Sequence, residues 1–469
     1  MRNLFLRYIF TIFSLSFFVY WLSVAGIVSS NDGSHYALAN ALAKSRSFEI
    51  SAYLPFTEGM DYAQMGDQYF SDRPPATGIV SAIFIRLGDY LPAATPILVS
   101  KHDANNPKLV YALLSSIIIG AILLVCFFDL LVNRYLVDYP FALLATFALG
   151  FGSIYWKYST QLYSHALSGF CIFFPIYLFL RKNRNLPLLN IICGFILGWG
   201  VSAEYTNILP IALIGALVFW HYYQKRNFSS IFFWCVGLIF PAGFLAYYNY
   251  THFGGILELS MFHVDISRWP NSQNIGGFFG TPLYEGLVGM LLWASNGNQG
   301  LFLLSPIALL GLWGCIWLWK YSRLEFFLWV GVFALMLGLF SMSSTFNPYT
   351  NDGRYLAPFV ALWFVAVGIG INYLPRNFWG FGSMFFLLFI SVRNQMIHIA
   401  FSWSHQLDTG LIRPWAISPH NLRVLGSALF TNWQNFGLGL WILVGFLLLF
   451  IITFWKLLPT LGKPKSDFL

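Results

Sequence analysis

Residues 8–36 read YIFTIFSLSFFVYWLSVAGIVSSNDGSHY. Positions 8–28 carry no charge and, at about 1.5 Å per helical residue, are long enough to cross a hydrocarbon core roughly 30 Å thick. The run then gives way to Ser29-Ser30-Asn31-Asp32-Gly33-Ser34-His35, a polar stretch with one carboxylate. Arg2 and Arg7 precede the run, which is long for a signal-peptide core and ends without a convincing small-residue cleavage site. A retained first span is therefore expected, with Asp32 where it leaves the bilayer.

The rest of the chain repeats that pattern. Of its 469 residues 58% are hydrophobic and 9% charged, against about 45–50% and about 25% in soluble domains. With 49 Phe, 25 Tyr and 18 Trp and a mean hydropathy of +0.65, lipid is the main solvent for most of this surface. That excludes a cytosolic enzyme, a disordered chain and a nucleic-acid binder, although the net charge is +8. Apolar runs of crossing length recur at 8–28, 109–128, 139–156, 161–180, 186–203, 207–223, 229–248, 301–319, 325–342, 355–373, 378–392 and 434–455. Two further stretches, 75–99 and 283–296, are broken by Gly, Pro and polar residues and read as short, tilted or re-entrant helices. The expected fold is an all-α polytopic membrane protein with about twelve crossings, one or two short or re-entrant helices and a long amphipathic first outer loop.

Basic clusters occur at Arg181-Lys182-Asn183-Arg184, Lys225-Arg226, Lys320 with Arg323, Arg376, and Lys456 with Lys463 and Lys465. They share one side, the cytoplasmic one, if neither broken stretch makes a net crossing. Both termini are then cytoplasmic. The inner face carries 14 Lys and Arg against 4 Asp and Glu, and the outer face 12 against 14, so the basic excess reflects topology. Outer loops fall at 29–74, 249–299, 343–354 and 393–433, in an N-terminal module, 1–248, and a C-terminal module, 249–469. The five cysteines lie in apolar runs, none within four residues of another, and read as core filler, neither a disulfide framework nor a zinc site.

Loops on a rigid scaffold usually carry function, and here the titratable sequence collects on the outer face. The short basic inner loops leave no room for a nucleotide site, and there is neither GxxxxGKS/T nor GxGxxG after a strand. An enzyme on the outer face would receive its activated substrate already attached to lipid. Two compatible readings apply to Asp32. Asn31 or Asp32 caps a helix whose Ala37, Leu38, Ala41 and Leu42 recur at helical spacing over Tyr36 to Ser45; or Asp32, at the mouth of a cavity, takes a proton from an incoming hydroxyl.

The first loop also carries Glu49, Glu58, Asp61, Asp67 and Asp72 and ends in Asp72-Arg73-Pro74-Pro75. The prolines fix the backbone, and Arg73 is either an anion ligand or a snorkelling interface residue. Arg354 follows Asn351-Asp352-Gly353 directly before a span, as an anion ligand or as an anchor paired with Asp352. Glu204, in a tight outer turn, and His165, at the start of a crossing, stand at a depth where ionisable groups are costly. The loop 249–299 holds His252, Glu258, His263, Asp265, Arg268 and Trp269. These raise a divalent metal, but their spacing matches neither HExxH nor an EF-hand loop and the chain has no DxD. The preferred reading is acceptor or sugar binding, with Trp269 and Tyr284 stacking on a sugar ring and no cofactor.

A long first span with an acidic exit, a long first loop and Arg73-Pro74-Pro75 before the second hydrophobic segment resemble the GT-C superfamily, polytopic glycosyltransferases that use polyprenyl-phosphate sugars. The likeness is nearest to the protein O-mannosyltransferase and aminoarabinose transferase type, over roughly residues 1–210. Tyr247-Tyr248-Asn249-Tyr250 with Phe253-Gly254, Gly300-Leu301-Phe302 with Ser305-Pro306, and Asp352-Gly353-Arg354-Tyr355-Leu356 with Pro358 are similar to later segments of bacterial members.

The resemblance implies transfer of a monosaccharide, with inversion, from a polyprenyl-phosphate donor to a glycan, lipid or protein hydroxyl on the outer face of a bacterial plasma membrane. It makes Asp32 the base, assisted by a second acid of the first loop, for which Glu58 ranks ahead of Asp61 and Asp67. Arg73 stands where the family usually has lysine. Arg73, Arg354 and His165 would face the donor phosphate, and His35, Tyr36, Glu204, His263, Trp269 and Asp352 the substrates. Two other classes are compatible with a polytopic chain. A transporter or flippase of a polar lipid would place its charges nearer the midplane and often repeat its halves; a non-catalytic envelope-assembly subunit would keep the fold without the chemistry.

Overall fold

The computed structural model describes residues 2–24, 26–27, 29–91, 109–181, 186–265, 267, 275–292, 300–344 and 353–400. It opens with α1 (Arg2–Leu22) and α2 (Ser30–Asn40), which runs on into a wider helical turn at Ala41–Ser45. A tight helical turn at Ser51–Thr57 and a hairpin of β1 (Ala63–Met65) and β2 (Gln68–Phe70), with Gln64 opposite Tyr69, complete the first loop. Helices follow: α3 (Ala76–Gly88), α4 (Leu109–Asn133), α5 (Tyr139–Phe151), α6 (Tyr155–Ser159), α7 (His165–Phe179), α8 (Pro187–Ala203), α9 (Ile208–Gln224), α10 (Phe228–Phe253), α11 (Leu283–Leu291), α12 (Leu301–Leu304), α13 (Leu310–Tyr321), α14 (Arg323–Phe326), α15 (Val332–Ser341), α16 (Val360–Asn372) and α17 (Phe378–Ala400).

This is a multi-pass membrane protein. Segments Tyr111–Asn133, Tyr205–Gln224, Phe228–Phe253, Arg323–Ser341 and Arg354–Asn372 are each long and apolar enough to cross a bilayer, and α10 shows lipid an apolar face of Phe232, Ile239, Phe240 and Tyr247. Every apolar run expected before residue 400 contains helix, whereas 434–455 lies outside the described residues. The details depart from the sequence reading where backbone chemistry intervenes. The run 301–319 is split into α12, a tight turn and α13, because Pro306 has no N–H to continue the ladder. The two broken stretches contain α3 and α11, of 13 and 9 residues, short of a crossing. Helix α17 runs to Ala400, so the segment expected as loop from 393 begins as helix. Cys126, Cys171 and Cys193 are buried, but Cys235 is exposed and Cys315 partly so; core filler describes only the first three.

Helices α1 and α4 run antiparallel, with Phe5 against Phe128 and Tyr20 beside Gly120, as do α4 and α5, with Phe128 against Tyr139 and Leu124 beside Gly150, and the charges fall into two groups. At one end Tyr8 meets Phe128 and Tyr139, Arg134 pairs with Glu325 and Arg376 with Asp138 at 2.7 Å. The other end gathers α2, the end of the first loop and the starts of α3 and α7. Between them α8 and α10 approach backbone to backbone. A Cβ at Gly194 would lie 2.1 Å from the Trp234 carbonyl oxygen, and one at Gly237 2.2 Å from that of Ile191. In a bilayer, where lipid tails are as apolar as leucine, such close contact supplies the attraction between helices. Asn190 reinforces it, accepting hydrogen bonds from Tyr222 and Trp234 at 3.1 and 2.9 Å. Gly194→Val or Gly237→Val is expected to wedge the pair apart at a cost of about 1–3 kcal/mol, read as a lower thermal midpoint in detergent; an unchanged midpoint would show that the helices do not meet there.

Candidate functional site

The polar exit of α1 becomes a helix start through a capping box. Ser29 has extended backbone, and Asp32 Oδ1 accepts its N–H at 2.8 Å and its Oγ–H at 2.7 Å. The N-cap is therefore Ser29, not Asn31 or Asp32, and Asp32 is held three residues inside with no exposed surface. Helix α2 reads as amphipathic, yet all of it except Asn31 is buried, because the turn at 51–57 covers its second face. The ring of Tyr36 meets Phe56 edge-on at 4.8 Å. A Cβ at Gly33 would lie 1.8 Å from the Phe56 carbonyl oxygen, so only glycine admits this approach.

The loop's last residues then fold against α2. Arg73 Nη2 lies 3.0 Å from Asp61 Oδ1, and its Nε 3.2 Å from Asp72 Oδ2. Ser30 donates to Asp61, and Ser34 to Asp72 at 2.9 Å. Ser260, after α10, donates to the Asp72 carbonyl at 2.8 Å and meets the Tyr205 hydroxyl at 3.1 Å. Burial pushes the Asp72 carboxyl up to about 7; Arg73 opposes the rise and Asp61 adds to it. Burial also pushes His35 down to about 3, helped by the charges of Arg73 and His165. Its imidazole is thus neutral near pH 7, and Nδ1 has no hydrogen-bond partner among the described residues.

A second wall comes from α6, α7 and the turn after α8. The Tyr163 hydroxyl is 2.8 Å from Ser29 Oγ; Ser29 gives its proton to Asp32, so Tyr163 is the donor and a relay runs from Tyr163 through Ser29 to Asp32. The rings of Tyr158 and Tyr163 flank His165 at 4.8 and 5.4 Å. Ser164 donates to Glu204 Oε2 at 2.7 Å. Burial raises the Glu204 carboxyl above its usual range, while Ser164, Arg73 and Arg354 oppose the rise. Arg354 Nη2 lies 3.2 Å from the Tyr355 hydroxyl, and its charge reaches both Arg73 and Glu204. Lys157 is buried on α6, its Nζ 5.7 Å from the Tyr158 ring centre, and brings a third cation to this wall.

The structure thus gathers Asp32, His35, Arg73, His165, Glu204 and Arg354 and adds Asp61, Asp72, Lys157 and Tyr163. Glu58 stands exposed at a left-handed position with φ 52°, while Asp61 and Asp72 hold Arg73, a pairing that spacing does not reveal. Lys157 belongs to no motif, and its one signal is a lone charge in Trp156-Lys157-Tyr158 between two apolar runs. His263 is 3.5 Å from Glu258 and stacks on Phe253 at 5.2 Å, and its carbonyl accepts the Gln64 N–H at 2.9 Å, tying the hairpin to the loop after α10. Tyr284 is exposed. Trp269 and Asp352 lie outside the described residues. Arg73→Gln would leave Asp61 and Asp72 facing each other. A loss of about 3 kcal/mol is expected near pH 7.5, the low end for a buried pair because Arg73 is partly exposed. The loss should shrink at pH 5.5 as a carboxyl takes a proton, and an equal loss in melts at both pH values would contradict this.

No protein-family model matches the chain, nor does any curated protein. Among solved structures it is similar to ArnT from Cupriavidus metallidurans in the apo state, with a TM-score of 0.56 and 12% sequence identity over 91% of this chain and 68% of that one. The structure of ArnT from the same organism bound to undecaprenyl phosphate gives a TM-score of 0.51 and 11% identity over 94% and 75%. At these identities the likeness is one of fold alone: the chain has the GT-C-like fold of ArnT.

Proposed function

We propose that the protein is a glycosyltransferase that moves a monosaccharide from a polyprenyl-phosphate donor to a hydroxyl of a glycan, lipid or protein on the extracytoplasmic face of a bacterial plasma membrane. The observation that carries this reading is the gathering of Arg73, Arg354 and Lys157 with the buried carboxylate Asp32 and the half-buried Glu204 at one end of a GT-C-like bundle. The undecaprenyl phosphate bound by the ArnT neighbour supports a lipid phosphate as the ligand. Arg134, Arg181 and Arg376 lie at the end where α1 begins, which supports a cytoplasmic N-terminus.

In this reading the bond from sugar to phosphate breaks as the acceptor oxygen attacks the anomeric carbon from the opposite face. Negative charge grows on the departing polyprenyl phosphate. Arg73 and Arg354, fixed in advance where water is scarce, stabilise it, and Lys157 adds to the local potential. Asp32 takes the acceptor's proton, held by the capping box and by the relay from Tyr163. His35, neutral, and Glu204 face the sugar. No cofactor enters the reaction.

In purified protein reconstituted with a polyprenyl-phosphate sugar, Asp32→Asn is expected to retain donor binding while lowering transfer by about 10²-fold or more. Transfer at nearly the wild-type rate would remove the proposed base. Arg354→Gln should weaken donor binding or turnover by about 10- to 100-fold, the worth of one charge-assisted contact. Passage of intact donor across the bilayer, with no bond broken, would assign the protein to transport instead.

A further inference from the structure

Arg73 is already occupied. An aligned hydrogen bond from Nη2 reaches Asp61 at 3.0 Å, and Asp72 lies 3.2 Å from Nε. Both carboxylates are nearly buried, at 4% and 5% exposure, so an anion approaching the guanidinium meets two negative charges where water screens little. Neither carboxylate is free to swing aside, since Ser30 and Ser34 fasten them to α2. The remaining way to clear the guanidinium is to neutralise one of them, and the geometry says which. Asp61 holds its arginine nitrogen with good alignment, whereas Nε makes no aligned hydrogen bond to Asp72 or to any other described group.

We infer that Asp61 and Asp72 form a proton-linked latch on Arg73: an anionic lipid phosphate gains the guanidinium as the pair takes up one proton from solution, and Asp72 receives it. This rests on the lipid-phosphate reading above and adds a claim of its own, that Asp72 acts as a positioning residue through Arg73. The charged and titratable groups around the pair are Arg73 beside it, His35 on α2, Glu204 and Tyr205 after α8, Tyr248 on α10 and Arg354 before α16. His35 is neutral there, and tyrosines keep their protons at pH 7. Burial, with Asp61 adjacent, already brings Asp72 to about 7, so the proton is at hand near neutral pH. A separate pointer to a ligand is the His35 Nδ1, buried beside Arg73 without a hydrogen-bond partner among the described residues.

The linkage has a definite sign. Above pH 7 Asp72 is charged in the free protein and protonated in the complex, so binding consumes a proton and weakens as pH rises. Below pH 6 it is protonated in both, and the dependence flattens. Titration calorimetry of the full-length protein in nanodiscs with undecaprenyl phosphate, at pH 8 in two buffers of different ionisation enthalpy, counts the protons. Asp72→Asn is the reference, because titration of the phosphate itself enters both measurements. The wild type is expected to take up close to one proton more than the variant, and its Kd to rise about tenfold more per pH unit above 7. If both proteins bind with the same proton count, the latch is wrong and the lipid-phosphate reading stands. If neither binds, that reading falls and takes the latch with it. Should Asp72→Asn fail to fold, Asp61→Asn replaces it with the same expected difference, since either change removes one of the two opposing charges.

Discussion

The ion pairs from Arg73 to Asp61 and Asp72 fix the geometry of one end of the molecule. A charge at the margin of a bilayer is costly unless it is answered, and here the answering groups come from the first loop, which packs a small core of its own around Ala37, Leu38, Ala41 and Ile50. Once paired, the carboxylates bind α2 through Ser30 and Ser34, and Ser260 draws in the segment after α10. The capping box at Ser29 and Asp32 and the relay from Tyr163 then join this loop to the segment between α6 and α7. The buried polar groups of the site are consequences of one arrangement.

The opposite end solves the same electrostatic problem differently. Glu325 accepts from Arg134 and, at 2.7 Å, from Tyr135, which in turn accepts from Trp329 at 2.6 Å. Asp129 accepts from Tyr177 at 2.6 Å and from Asn133 at 2.7 Å, and Arg181 donates to the same tyrosine at 2.7 Å. In these networks each acid is matched by nearby donors and the groups close on one another, which suits a structural role. At the loop end the cations Arg73, Arg354 and Lys157 collect around buried acids, and the His35 nitrogen is left for something else. This contrast in satisfaction, more than any count of charges, singles out the loop end as the candidate site.

The membrane architecture was legible because spans are local: a run of apolar residues either is or is not long enough to cross. The break inside 301–319 was less so, although Pro306 carried the signal. The residues of the site divide in the same way. Asp32, Arg73 and Arg354 stand beside span ends or prolines and could be picked out by position. Seeing that Asp61 pairs with Arg73 requires knowing that the chain reverses after Thr57 and pairs β1 with β2, an event that spacing along the chain does not encode. Lys157 carries no such signal, because its burial comes from the packing of α6 against neighbours distant in sequence. The all-round burial of α2 likewise depends on Phe56 covering the face that its own periodicity left polar.

The most direct measurement is a structure of the protein in nanodiscs with undecaprenyl phosphate bound. Phosphate density within hydrogen-bond reach of Arg73 and Arg354 is the expected result. Density confined to the opposite end, beside Arg134 or Arg181, would contradict it.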